Sequence, residues 1–189
     1  MTEIRVGSTT DALAPVSFAE RRVGASAWEW AALGTVAGAA LLADQLTKQL
    51  VTSRVALGDQ VDVLGVFSIH RVENSGIAFG LFPTATAAVI ALTGLVVGWM
   101  LLFFARSGAR HPILPVALGL LIGGSASNLT DRIRLGHVTD FLDLRYWPAF
   151  NLADSFIVLG VLVLLAALLL PQRSRPRPRS ITDAPVSRS

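Results

Sequence analysis

From Thr84 to Ala105 the chain runs for 22 residues without a charged side chain, and from Pro112 to Thr130 for another 19. A third apolar stretch extends from about Asn151 to Leu170, with Asp154 near its start. Each is close to the ~20 residues that cross ~30 Å of hydrocarbon as a helix. The earliest segment is less regular. Trp30 to Ala43 is apolar but short, bounded by Glu29 and Asp44. Extended over 28–50 it is long enough, and it then carries Asp44 and Lys48 inside its far end. The pattern predicts four transmembrane helices, over about 28–50, 84–105, 112–130 and 151–170. Between the first two, the run Val61 to Val72 is rich in β-branched residues with partial alternation, which favours short strands. The expected fold is therefore an all-α membrane protein with a small extracytoplasmic β-sheet, over about 51–83, between the first and second helices.

Composition agrees with this pattern. Of 189 residues only 15% are charged, against roughly a quarter in soluble domains. The soluble parts are too short for a second core. The net charge of +3 does not point to nucleic acid, because five of the sixteen basic residues lie in the tail after Pro171. There is no cysteine, which excludes disulfides, thiol catalysis and cysteine-held metal.

Basic residues set the expected orientation. With the N-terminus inside, the inner segments hold Arg5, Arg21, Arg22, Arg106, Arg110 and the five tail arginines, ten in all, against six outside. Both termini are then cytoplasmic. Residues 1–27 read as a disordered tail. Glu29 interrupts any signal core after Arg21-Arg22, so an uncleaved anchor is expected. Residues 172–189 read as a second disordered tail, basic and Pro-rich, suited to the anionic inner leaflet. The folded unit is 28–171.

The polar residues at the outer ends of the helices carry the candidate chemistry. Asp44 and Lys48 are four apart, acid first, in the order that suits a helical ion pair. They either neutralise each other or orient a site. Glu73 to Gly80 has turn composition, yet Asn74 could also hold a peptide backbone, since its amide donates and accepts. Gly123 to Arg132 ends the third helix. Its small residues suit close packing, while Asn128, Asp131 and Arg132 serve scaffold or site equally well. Asn151 and Asp154 resemble an N-cap and its reciprocal acid.

Asp140 and Asp154 fall on the same outer side, on either end of a short connection between adjacent helices. Two carboxylates held close cannot both ionise cheaply, so such a pair shares a proton near neutrality. The ionised member takes a proton from water, and the protonated member polarises a carbonyl. This suits water attack on a peptide bond. Asp154 is expected to be the more acidic member, since a helix N-terminus stabilises an anion. On these grounds Asp143 could replace Asp140. A Ser–Lys dyad would need Lys48, which already faces Asp44. No nucleophile elbow or zinc motif is present. A cation transporter could use Asp44, Asp131, Asp140, Asp143 and Asp154, but spans two and four carry no charge through their inner halves. A purely structural subunit leaves the acids unexplained.

Five motifs occur in order: Asp44-Gln45-x-x-Lys48, Asn74-x-Gly76-x-Ala78-Phe79, Gly123-Gly124-x-x-x-Asn128-Leu129-x-Asp131-Arg132, Val138-x-Asp140-Phe141 and Phe150-Asn151-x-Ala153-Asp154. Together they resemble the bacterial lipoprotein signal peptidase, or type II signal peptidase, over about 28–171. The resemblance implies a four-span aspartic peptidase of the bacterial plasma membrane. Its activity would be removal of the signal peptide from diacylglyceryl-modified prolipoproteins, just before the lipidated cysteine. It implies catalytic roles for Asp140 and Asp154 and leaves Asp143 outside the matched positions. It implies supporting roles for Asp44, Lys48, Asn74, Gly76, Asn128, Arg132 and Asn151. No metal or cofactor is expected. The expected partners are the lipidated substrate and membrane lipid, with no nucleic acid, and the chain is expected to be a monomer. Ile77 stands where Ala is usual and could narrow the pocket. Ser127 stands where Gly is common and could alter helix packing. A lid role is expected for Tyr146 and Trp147, and a peptide-clamping role for the small sheet.

Overall fold

The computed structural model describes residues 24–76, 86–107 and 112–169. Most of both expected tails and Ile77 lie outside these residues. Among these residues are four helices: α1 (Ala27–Arg54), α2 (Thr86–Ser107), α3 (Leu114–Leu135) and α4 (Leu152–Leu169). Four strands, β1 (Gln60–Leu64), β2 (Phe67–Asn74), β3 (Val138–Leu144) and β4 (Trp147–Phe150), form one antiparallel sheet in the order β1-β2-β3-β4.

The sheet departs from expectation. Only β1 and β2 come from between the first two helices, and the other half comes from between α3 and α4. Asp140 and Asp143 break the hydrophobic alternation of β3, and Pro148 argues against a strand in β4. Proline is tolerated there because β4 is an edge strand, where a missing N–H costs no ladder bond. Asp140 therefore sits on a strand rather than in a loop, and Tyr146 lies at the turn of the β3–β4 hairpin.

Glu29, which bounds the apolar stretch in the sequence, is part of the start signal of α1. Its backbone N–H donates to Ser26 Oγ (3.3 Å), and its carboxylate accepts from the Ser26 N–H (2.6 Å). This capping box satisfies two backbone donors that the first turn leaves open. At the other end of the molecule α3 stops at Gly136, which adopts φ 81° and donates its N–H to the Arg132 carbonyl (3.1 Å). Glycine takes this left-handed conformation without steric cost. The turn feeds the chain into β3 within two residues.

The bundle is organised around α3, which packs against α1 on one side and α4 on another. Glycines make this approach possible. A Cβ on Gly119 would lie 2.8 Å from Val36 Cβ, one on Gly124 2.5 Å from the Ala153 carbonyl oxygen, and one on Gly160 2.9 Å from the Ala117 carbonyl oxygen. The apolar core joins Leu33 of α1, Met100 and Phe104 of α2, and Leu114, Leu118, Leu121 and Ile122 of α3. Trp30 stands edge-on to Phe104 at 4.9 Å. On α2, Leu92, Leu95 and Trp99 are more than 60% exposed. Among the described residues, Thr86–Arg106 is the one helix long and apolar enough to cross a membrane, and Leu152–Ala167 is a shorter apolar helix. In α1 and α3 the charged residues Asp44, Lys48 and Asp131 lie within the helix and are buried.

The close α3–α4 contact is testable. Gly124→Ala is expected to destabilise the protein by roughly 1–3 kcal/mol, the usual cost of overpacking. Gly94→Ala, whose Cβ meets nothing within 4 Å, is expected to be neutral or stabilising. Thermal midpoints of the two variants in detergent provide the comparison, and a Gly124→Ala midpoint equal to the parent's would disprove the contact.

Candidate active site

The β2–β3 register sets Val72 opposite Asp140 and Asn74 opposite Val138. The end of β2 thus lies beside the Asp140 carboxylate, and Asn74 Nδ2 donates to Asp140 Oδ2 (3.0 Å). Beyond β4 a single residue, Asn151, separates the sheet from α4. Its backbone N–H donates to Asp154 Oδ2 (3.3 Å), and its Oδ1 accepts from the Asp154 N–H (2.9 Å). These are the reciprocal bonds of a helix cap. The same side chain donates from Nδ2 to Asp140 Oδ1 (2.7 Å) and to Asn128 Oδ1 (3.2 Å). Capping and site-building are therefore one function of Asn151, which links the two aspartates through a fully buried amide.

Asn128 completes the frame. Its Nδ2 donates to Asp154 Oδ1 (2.8 Å), and its Oδ1 accepts from Lys48 Nζ (2.9 Å). Lys48 also lies 2.7 Å from Asp44 Oδ2 and 2.7 Å from Asp131 Oδ2. Asp44 reaches α4 as well, accepting from the Ala153 N–H at Oδ1 (2.9 Å). Arg132 Nη2 donates to the Gly76 carbonyl (3.1 Å), and the Gly76 N–H donates to Asn74 Oδ1 (3.1 Å). This closes the turn after β2 against the end of α3. All nine residues to which the resemblance gives a catalytic or supporting role, Asp44, Lys48, Asn74, Gly76, Asn128, Arg132, Asp140, Asn151 and Asp154, converge here.

Asp143 does not join them. It is three positions beyond Asp140, and an odd step along a strand turns a side chain to the other face. It lies 3.5 Å from His70 Nδ1 instead. Three further side chains belong to the network. Asp131 holds Lys48 from α3. Gln45 Nε2 donates to Asp131 Oδ1 (2.7 Å) and to Ser127 Oγ (3.0 Å), and Ser127 Oγ donates to Asp44 Oδ2 (2.7 Å). Gln45 had a sequence signal, its place beside Asp44 in the first of the five motifs. Ser127 had its presence in a small-residue stretch and its place where Gly is common, both of which pointed to packing.

Asn74, Asn128, Arg132, Asp140 and Asp154 line a cavity of about 600 Å³. Its apolar walls are Trp147, Pro148, Ala149 and Phe150 of β4 and Ile157, Val158, Leu159 and Leu162 of α4. The polar groups are thus gathered at one end of an apolar trough. Among the described residues no three His, Cys, Asp or Glu side chains are grouped as metal ligands. The space between Asp44 and Asp131 is filled by the Lys48 ammonium.

Burial pushes the Asp140 carboxyl up to about 6, and the nearby Asp154 charge adds to the rise. The amide donors of Asn74 and Asn151, and the Lys48 charge, act in the opposite direction without cancelling it. Folding therefore favours protonated Asp140. This contribution to stability is complete below about pH 4, the range of an unfolded aspartate, and is lost as pH rises through about 6. On this account the thermal midpoint falls between pH 4 and pH 7, and Asp140→Ala is expected to flatten that segment. An Asp140→Ala variant that keeps the parent's slope would contradict the assignment.

Comparison with known proteins places the chain. The family model for signal peptidase (SPase) II matches residues 36–170. The lipoprotein signal peptidase of Symbiobacterium thermophilum is 41% identical over 140 residues, covering 71% of this chain and 91% of that protein. That of Moorella thermoacetica is 41% identical over 138 residues, covering 72% and 92%. A solved structure described as a bacterial membrane enzyme superposes with a TM-score of 0.70 at 28% identity, covering 74% of this chain and 88% of that one. A second of the same description gives 0.67 at 28% identity, covering 74% and 93%. With its matched region spanning more than half of the chain, the protein belongs to the signal peptidase II family of membrane-embedded proteases.

Proposed function

We propose that this protein is an aspartic endopeptidase that removes the signal peptide from diacylglyceryl-modified prolipoproteins, cutting the bond just before the lipidated cysteine. The observation that carries the reading is the pair of carboxylates, Asp140 and Asp154, bridged by one asparagine at the polar end of an apolar cavity. The names of the family and of the relatives supply the substrate class.

The chemistry needs one protonated and one ionised carboxylate. Asp154 takes a proton from water as the water oxygen bonds to the scissile carbonyl carbon. Asp140, which holds its proton up to about pH 6, gives it to the carbonyl oxygen. The resulting gem-diol is neutral, so little charge is generated in a poorly solvated site. Asp154 then passes its proton to the amide nitrogen as the C–N bond breaks. A gem-diol hydroxyl returns a proton to Asp140. One water is consumed, the signal peptide leaves with a carboxyl terminus, and the lipidated cysteine leaves with a free amine. Asn74, Asn128 and Asn151 keep both carboxylates oriented throughout, and this orientation is the main contribution of a preorganised site.

The same reading has all four helices crossing the bacterial plasma membrane, with 28–171 as the peptidase unit and both termini in the cytoplasm. The site is then at the outer face. A diacylated cysteine keeps its chains in the bilayer, so the enzyme must open sideways to lipid. The apolar wall formed by Ile157, Val158, Leu159 and Leu162 suits that need. The reaction is expected to need no metal or cofactor, and one chain carries all the proposed residues.

Purified protein given a lipidated prolipoprotein provides the test. Asp140→Asn and Asp154→Asn are each expected to lower turnover by about 10²–10⁴-fold or more, the usual contribution of general acid–base groups, and chelators are expected to change nothing. Turnover surviving Asp154→Asn would remove the two-carboxylate mechanism. Loss of activity in chelator would redirect it to a metal.

A further inference from the structure

We infer that Ser127 is a positioning residue for the reacting pair, acting through Asp44, Lys48 and Asn128. The inference rests on the reading of Asp140 and Asp154 given above.

Ser127 lies in the small-residue stretch of α3, where packing alone would explain it. The structure gives its hydroxyl a different use. A serine inside a helix commonly bonds back to the carbonyl four residues earlier, as Thr130 Oγ1 does to the Ala126 carbonyl (2.8 Å). Ser127 Oγ instead donates across the interface to Asp44 Oδ2 on α1 (2.7 Å) and accepts from Gln45 Nε2 (3.0 Å). The side chain is completely buried, as is Asp44.

At this depth a carboxylate oxygen depends on its protein donors, because water cannot replace them. Asp44 divides its charge among three partners: the Ala153 N–H at Oδ1, and Lys48 Nζ and the Ser127 hydroxyl at Oδ2. Lys48 in turn divides its donors among Asp44, Asp131 and Asn128 Oδ1. Asn128 hands the constraint on to Asp154 through Nδ2. Removing the hydroxyl leaves more uncompensated charge on Asp44. That charge draws the ammonium toward α1 and away from Asn128. Asn128 then loses the contact that fixes its amide, and Asp154 loses a fixed donor. Gln45 braces the same arrangement, since it bonds both Ser127 and Asp131 on either side of Lys48. Neither Ser127 nor Gln45 lines the catalytic cavity, so their effect on the reaction passes through these bonds.

The test is steady-state cleavage of a lipidated prolipoprotein by the full-length protein, with thermal midpoints measured alongside. Ser127→Ala is expected to lower kcat roughly three- to tenfold, the range for partial loss of one charge-assisted hydrogen bond, while KM stays within about twofold. Ser127→Cys, with a weak S–H donor, is expected to fall between Ala and the parent, and it carries the test should Ser127→Ala fail to fold. A lower midpoint with kcat unchanged would make Ser127 a packing residue only and overturn the inference. A change confined to KM would also overturn it. A parent protein that cleaves normally while Ser127→Ala keeps its kcat removes this inference alone. A parent protein that cleaves no lipidated prolipoprotein removes the peptidase reading beneath it.

Discussion

One buried ammonium organises the end of the bundle that carries the cavity. Lys48 is 4% exposed and is held by Asp44, Asp131 and Asn128. Taking an ammonium out of water costs several kcal/mol unless charge and hydrogen bonds replace the lost hydration. The three partners come from two helices, and Asp44 is tied to a third through the Ala153 N–H. Removing any one partner leaves part of the buried charge without its compensation. α1, α3 and α4 are thereby locked in one relative position at the end of the bundle that carries the cavity. The two aspartates are hung from that lock through Asn128 and Asn151.

The helix packing and the polar network meet in α3. Its glycines let the helix axes come close, and one turn further on Ser127, Asn128, Asp131 and Arg132 use that closeness to reach α1, α4 and the end of β2. Had larger residues held the helices apart, these short side chains would not span the gap. The sheet adds what helices alone do not supply. It carries Asp140 on β3 and Asn74 on β2, and a single residue after β4 delivers the chain to the first turn of α4.

Local patterns in the sequence carried much of this. Uncharged runs revealed α2, α3 and α4, and the i,i+4 spacing revealed the Asp44–Lys48 pair. Asp140 and Asp154 stood out because carboxylates beside apolar spans require a partner or a task. What local patterns missed depends on contacts between distant segments. Asp131 as a second anion for Lys48 is invisible locally, because Asp44 already accounts for the lysine's charge. β3 was hidden because Asp140 and Asp143 put a carboxylate on each of its faces, although it is this strand that turns one toward the cavity and the other toward His70. Ser127 read as a spacer because only its apposition to α1 reveals what its hydroxyl bonds.

The central physical claim is that Asp140 and Asp154 behave as one proton-sharing pair. It is tested most directly by following the aspartate carboxyl carbons by NMR from pH 3 to pH 9 in ¹³C-labelled protein. Asp140 is expected to titrate near 6, and to move down when Asp154→Asn removes the neighbouring charge. An Asp140 that titrates near 4, with or without Asp154, would contradict the pair.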